Sequence, residues 1–166
     1  IYASECLQAA SSIGCKKFIN IGSAQEVFLE ENLIEREDIS QSDYAIAKLG
    51  SRDIVKILGY LNKIDTAHIT FSVPLDINLS GTGYVPTSLR KIINKEEIDL
   101  PKSNQIFDLI SMSDLVSAIK NIAYEGENQK NYYIGSGIFK TLANHFKDFS
   151  KYIYSSKPPK NIVDVP

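Results

Sequence analysis

A net charge of −2 spread over 166 residues gives no general attraction to nucleic acid or to an anionic membrane surface. Hydrophobic residues at 43% and charged residues at 23% suit a globular domain with a sizeable core, and no apolar run approaches the ~18 residues that cross a bilayer. Only two cysteines occur, Cys6 and Cys15, and no Cys/His cluster has metal-ligand spacing, so we expect a reduced, cytoplasmic protein without a metal.

Residues 2–13 read as a helix with Ala3, Leu7, Ala10 and Ile13 on its apolar stripe, stopped by Gly14. The opening residues, Ile1 to Glu5, lack the basic and long apolar segments of a signal peptide, and the helical pattern is already running there. A fragment of a longer chain is the expectation. Lys17 to Gly22 is a short apolar run that suits a buried strand. Residues 23–41 are polar and acidic and read as a loop. Ser42 is placed to cap a second helix, with Asp43 in its first turn, that runs to about Leu61 with Ile54, Ile57, Leu58 and Leu61 at helical spacing. Gly50 weakens it slightly. Thr66 to Phe71 is the next strand.

The alternation helix, strand, helix, strand argues for an α/β protein whose parallel sheet is covered by helices. Ser72 to Gly83 reads as a loop, and Pro86 sits near the start of a helix carrying Leu89, Ile92 and Ile93. Glu97 to Leu100 and Gln105 to Ile110 read as strands, and Ser113 as the cap of a helix with Leu115, Ala118, Ile119 and Ile122 on one face. Asn131 to Ile134 is a strand, Gly135-Ser136-Gly137 a turn, and the last helix carries Leu142, Phe146, Phe149 and Ile153. The Pro- and Lys-rich tail from Ser155 is expected to be loosely held.

The stretch with most chemical content is Ser42-Asp43-Tyr44-Ala45-Ile46-Ala47-Lys48. Side chains four apart share one helix face, so the Tyr44 phenol would lie beside the Lys48 ammonium. A nearby cation can lower a phenol from its usual pKa near ~10 by roughly 1–3 units, which makes it a usable acid or base near neutrality. Nine tyrosines make roughly one such pair expected by chance, so the surroundings must carry the argument.

Those surroundings carry a resemblance. Phe18-Ile19-Asn20-Ile21-Gly22-Ser23-Ala24-Gln25-Glu26, followed by Tyr44-x-x-x-Lys48, resembles the extended short-chain dehydrogenase/reductases, and within them the nucleotide-sugar epimerase/dehydratase group. Phe107-Asp108-Leu109-Ile110-Ser111-Met112-Ser113-Asp114 and Tyr132-Tyr133-Ile134-Gly135-Ser136-Gly137 are similar to two further segments of that family, in the same order. The resemblance implies the C-terminal part of a Rossmann-like parallel sheet with a small α/β substrate-binding cap. It implies an NAD(P)-dependent epimerase, dehydratase or 4-keto-reductase acting on a nucleotide sugar by hydride transfer. It gives Tyr44 the role of general acid/base, and Lys48 that of tuning Tyr44 and holding the nicotinamide ribose. Ser23, at a strand end where open α/β sheets place ligands, would bond the reacting sugar oxygen. Gln25 and Glu26 beside it are candidate substrate contacts, although loop polarity explains them equally well.

Three features depart from that family. The Gly-rich turn that seats the pyrophosphate does not occur in these residues, nor does the residue that selects NAD or NADP. Ile69 to Ile77 lacks the family's Arg and Gly-Pro. Gln105-Ile106 stands where an Arg precedes the Asp-hydrophobic pair, and Arg90 and Lys91 are candidate replacements for phosphate contacts, set against a solvated helix face.

The division expected is 1–72 as the second part of the cofactor domain and 73–166 as mainly the cap, built largely from 73–103 and 136–166, with 104–135 as a candidate to return to the core sheet. Simpler readings stand beside the chemical ones. Ser23 could cap a turn and Tyr44 could be a packing contact. His68 reads as a packed or edge residue, and His145 as solvated, facing away from Phe146 and Phe149. Two alternatives to an enzyme remain: a truncated remnant or protein-interaction module, and a nucleotide-sugar-binding regulator without turnover. Neither nucleic acid nor membrane is expected as a partner, and a homodimer is allowed.

Overall fold

The computed structural model describes residues 2–27, 29–30, 43–100 and 104–154, and the backbone of 162–164. The chain divides into two units: Ile1–Phe71 with Leu115–Ile134, and Ser72–Asp114 with Gly135–Pro166.

The first unit is a parallel sheet with helices, as the alternation of periodicities predicts. Helix α1 (Tyr2–Ser12) leads into β1 (Lys17–Ile21), α2 (Asp43–Asn62) and β2 (Asp65–Phe71), and the unit takes β7 (Lys130–Ile134) from later in the chain. The strand order is β1-β2-β7, all parallel, with Lys17 opposite Asp65 and Phe71 opposite Ile134. In the central strand β2, residues Thr66 to Thr70 are all buried. That fits a parallel strand covered on both faces, which cannot alternate apolar with polar. Leu7 of α1, Val55 of α2 and Ile64 form the core, with Ala3, Ala10, Phe18 and Leu58 packed on it.

Helix α2 reaches β2 at close range because Gly59 has no side chain. A Cβ there would lie 2.3 Å from Thr66 Cγ2 and 3.0 Å from the Ile64 carbonyl. This seating corrects the stripe expected for α2. Ala45, Val55 and Gly59 are its buried residues, whereas Ile57 and Leu61 are 61% and 66% exposed. Spacing alone identifies two apolar stripes on this helix and cannot say which one faces the sheet.

In the second unit, β3 (Val73–Leu75) pairs parallel with β6 (Leu109–Ser111), and β4 (Ile98–Leu100) pairs parallel with β9 (Ile162–Asp164). A short antiparallel pair joins β5 (Ile106–Phe107) to β8 (Lys140–Thr141). Helices α3 (Tyr84–Ile93) and α5 (Leu142–Tyr154) meet over a core of Val85, Leu89, Ile92, Ile98, Leu100, Leu142 and Phe146.

Several expectations are corrected here. Strand β3 lies in what reads as a loop; its Pro74 is tolerated because a two-stranded pair leaves one side without a ladder. Gln105 to Ile110 is two strands broken at Asp108, whose carboxylate is turned to the 136–137 turn. Helix α4 (Met112–Glu125) is capped by Ser111 and not Ser113: the Asp114 N–H donates to Ser111 Oγ at 3.1 Å. Residues 162–164 of the expected loose tail form a strand. Ser42 lies outside the described residues, as do 31–41 of the expected loop.

Candidate active site

The C-terminal end of β1 collects the polar groups of the first unit. Gly22 follows the strand and donates its N–H to the Ile69 carbonyl of β2 at 2.7 Å. Ser23 comes next and is half-buried. Residues 25–27 and 29–30 are helical where a loop was expected, and Ser23 is the reason. Its hydroxyl accepts the Gln25 N–H at 3.3 Å, while its own N–H donates to Glu26 Oε1 at 2.7 Å. Ser-x-x-Glu in this reciprocal arrangement is a capping box. Ser23 therefore does cap a turn, and its hydroxyl hydrogen keeps a donor for a ligand.

Glu26 is 1% exposed. Its second oxygen meets His68 Nε2 at 2.7 Å, and His68 Nδ1 meets Asn20 Nδ2 at 3.0 Å. Asn20 and His68 are Cα partners across β1 and β2. An amide N–H pointing at Nδ1 makes that nitrogen an acceptor, so the proton sits on Nε2 and donates to the carboxylate. Burial pushes the imidazole below its ordinary pKa, against the pull of the Glu26 carboxylate, which agrees with a neutral ring. Glu26, expected beside Ser23 as a candidate substrate contact, is buried, and each of its oxygens meets a partner inside the protein. Gln25 stands exposed on the same turn.

Helix α2 brings Tyr44 and Lys48 to this strand end. The Lys48 ammonium donates to the Ile21 carbonyl at 2.9 Å, two residues before Ser23. It also lies 5.7 Å from the centroid of the Tyr44 ring, within cation–π range. Tyr44 is 53% exposed, so the phenol can be reached from solvent. Arg52 of α2 bonds Glu30 at 2.7 Å, which ties the turn after Ser23 to that helix, and also bonds its neighbour Asp53 at 2.9 Å. That hydrogen bond from Arg52 holds the Glu30 carboxyl below its ordinary pKa.

Arg90 belongs to the second unit. Its guanidinium donates to the Leu79 carbonyl, to the Gly81 carbonyl at 2.8 Å and to Thr87 Oγ1 at 3.0 Å. These bonds pin the loop before α3. Asp108, also buried, accepts from Ser136 N at 3.0 Å, Ser136 Oγ at 2.5 Å and Gly137 N at 3.2 Å. His145 is half-buried against the Phe107 carbonyl at 3.0 Å and is not the solvated side chain expected. Among the described residues no group of three His, Cys, Asp or Glu could hold a metal, and no helix is long and apolar enough to cross a membrane.

No family model matches the sequence, and no curated protein matches it either. Solved structures do match the fold. UDP-glucose 4-epimerase from Thermotoga maritima, solved with UDP-glucose, superposes with a TM-score of 0.77 at 18% identity over 99% of this chain and 55% of that one. A dTDP-glucose 4,6-dehydratase from Bacillus anthracis, solved with NAD, gives 0.75 at 15% identity over 99% and 54%. The Bordetella bronchiseptica enzyme WbmG, solved with NAD and UDP, gives 0.71 at 14% over 98% and 51%. The chain has the fold that these enzymes share over this part of their length. The chain spans about half the length of these enzymes. The Asn20–His68–Glu26 cluster is what residue-by-residue reading passed over. One signal marked it: the Ser-x-x-Glu spacing of Ser23 and Glu26.

Proposed function

We propose that the chain carries the reacting end of an NAD(P)-dependent nucleotide-sugar epimerase, dehydratase or 4-keto-reductase. The observation that carries this reading is the bridge made by Lys48: one ammonium reaches the last carbonyl of β1 and the face of an exposed Tyr44. The neighbours' folds, solved with NAD and with nucleotide or sugar nucleotide, support the substrate and cofactor class.

The donor chemistry fits a nicotinamide ribose. Among the described residues the Lys48 ammonium spends one of its three N–H donors on Ile21, leaving two for ribose hydroxyls, with the Tyr44 phenol alongside. A bound nicotinamide supplies the acceptor or donor of a hydride. Tyr44 takes the proton from the sugar hydroxyl as the carbon is oxidised, or returns it to the keto oxygen. Ser23 donates its hydroxyl hydrogen to that same oxygen. Residues 1–72 are assigned to the cofactor domain and 73–166 mainly to the cap; the pairing of β7 with β2 supports the return of the later part of 104–135 to the sheet, whereas 104–114 group with the second unit.

Tyr44→Phe in the complete protein tests this. Loss of acid/base catalysis is expected to cost about 10²–10⁴ in rate while the melting curve stays in place. Unchanged turnover would remove Tyr44 from the mechanism. Titration with NAD(H) and NADP(H) separates an enzyme from an interaction module: micromolar binding supports the first, and none supports the second.

A further inference from the structure

We propose that Glu26, His68 and Asn20 form a positioning relay that sets the height and direction of Ser23 beyond the end of β1; the inference rests on the role given to Ser23 above. The chain of contacts is continuous: Ser23 N–H to Glu26 Oε1 at 2.7 Å, Glu26 Oε2 to His68 Nε2 at 2.7 Å, and His68 Nδ1 to Asn20 Nδ2 at 3.0 Å. Its members are 1%, 3% and 7% exposed, so water does not compete for these bonds.

A capping box needs only the first of them. An ordinary capping glutamate lies on the surface and swings between rotamers. Here the second carboxylate oxygen is clamped by an imidazole, and the imidazole is clamped by an amide on the neighbouring strand. The result is that Ser23 is tied to two strands of the sheet rather than to one turn of helix. Gly22 is part of the device. A Cβ on it would fall 2.5 Å from both Glu26 Oε1 and His68 Nε2, so the chain crosses directly over the pair.

The relay has one proton arrangement. Asn20 donates to Nδ1, Nε2–H donates to Glu26, and Glu26 accepts from Ser23. Protonating Nδ1 would set it against the Asn20 amide hydrogens and break the series. Three charged groups act on the ring: Glu26 favours its protonation, and Arg52 and Lys56 of α2 oppose it.

The test uses the complete protein. In ¹⁵N-histidine spectra, His68 is expected to show an unprotonated Nδ1 and a protonated Nε2 across neutral pH. The Ser23 amide proton, shifted downfield by its carboxylate acceptor, should move upfield in Glu26→Gln and in His68→Leu. It should hold its place in His68→Gln, whose amide can both donate to Glu26 and accept from Asn20. Under turnover, kcat should fall about 10–100-fold in Glu26→Gln and His68→Leu at constant KM, recover to within about 3-fold of the parent in His68→Gln, and fall no further when Glu26→Gln is added to Ser23→Ala. A protonated Nδ1, a Ser23 amide unmoved by Glu26→Gln, or a His68→Gln no better than His68→Leu would each overturn the relay. Should the parent show no turnover, the functional reading fails on its own, and the two spectra still decide the relay. Should His68→Leu fail to fold, the parent spectrum and Glu26→Gln decide it.

Discussion

Helix α2 carries Tyr44 and Lys48, and two of its glycines make opposite predictions. Gly50 is exposed, and a Cβ there would meet nothing within 4 Å. Alanine in a helix interior is favoured over glycine by about 0.5–1 kcal/mol, so Gly50→Ala should stabilise by about that much. Gly59 gains the same propensity but loses more to contact. Its Cβ would stand 2.3 Å from Thr66 Cγ2, 3.0 Å from the Ile64 carbonyl and 3.4 Å from Thr66 Cβ. None of these can step aside easily: Thr66 is buried in the central strand, and the stretch at Ile64 is held by its N–H bond to the Gly59 carbonyl. Overpacking of this kind costs about 1–3 kcal/mol, which outweighs the propensity gain and leaves Gly59→Ala destabilised by about 1–2 kcal/mol. Equilibrium urea unfolding reads both, with the midpoint rising for one variant and falling for the other at equal slope. Adding Thr66→Ser to Gly59→Ala removes the methyl in the closest contact and should recover part of the loss. If Gly59→Ala stabilised as much as Gly50→Ala, α2 would not be seated on β2 as described, and the path of Lys48 to Ile21 would go with it.

Other outcomes follow from the same structure. Phe146 is fully buried in the second unit's core, and Phe146→Ala should cost about 3–5 kcal/mol by denaturant unfolding. Asp108→Asn turns an acceptor into a donor facing the Ser136 and Gly137 amides, and should cost about 1–3 kcal/mol, while Asp108→Glu moves the carboxylate without removing it. His68 binds its proton less readily folded than unfolded, because burial lowers its pKa below 6.5. The unfolded chain therefore takes up a proton that the folded chain refuses, so this contribution to stability is complete above about pH 6.5 and is lost as pH falls from there toward the folded pKa. Melting temperature across pH 5–8 should show that slope in the parent and lose it in His68→Gln.

The α/β alternation was legible because helices and strands bury side chains with different periods, and both periods are clear in residues 2–71. Tyr44 and Lys48 were legible for the same reason, since four-residue spacing on a helix leaves little freedom. Ser23 was readable as a cap from Ser-x-x-Glu alone. Glu26 and Arg90 were not readable, because a charged side chain in a loop or on a helix looks solvated until the neighbours that accept or donate to it are known. Strands β8 and β9 escaped for a related reason: each is two or three residues long and exists only through its partner.

Local patterning by itself determined the order of elements in the first unit and the pairing of a phenol with an ammonium on one helix turn. Tertiary structure alone decided which stripe of α2 faces the sheet, because Gly59 permits an approach that the apolar Ile57 and Leu61 would not. It also decided that Asn20, His68 and Glu26 meet. His68 lies more than forty residues from the other two, and its hydrogen bonds to them depend on strand register, a property of the assembled sheet that no single segment encodes.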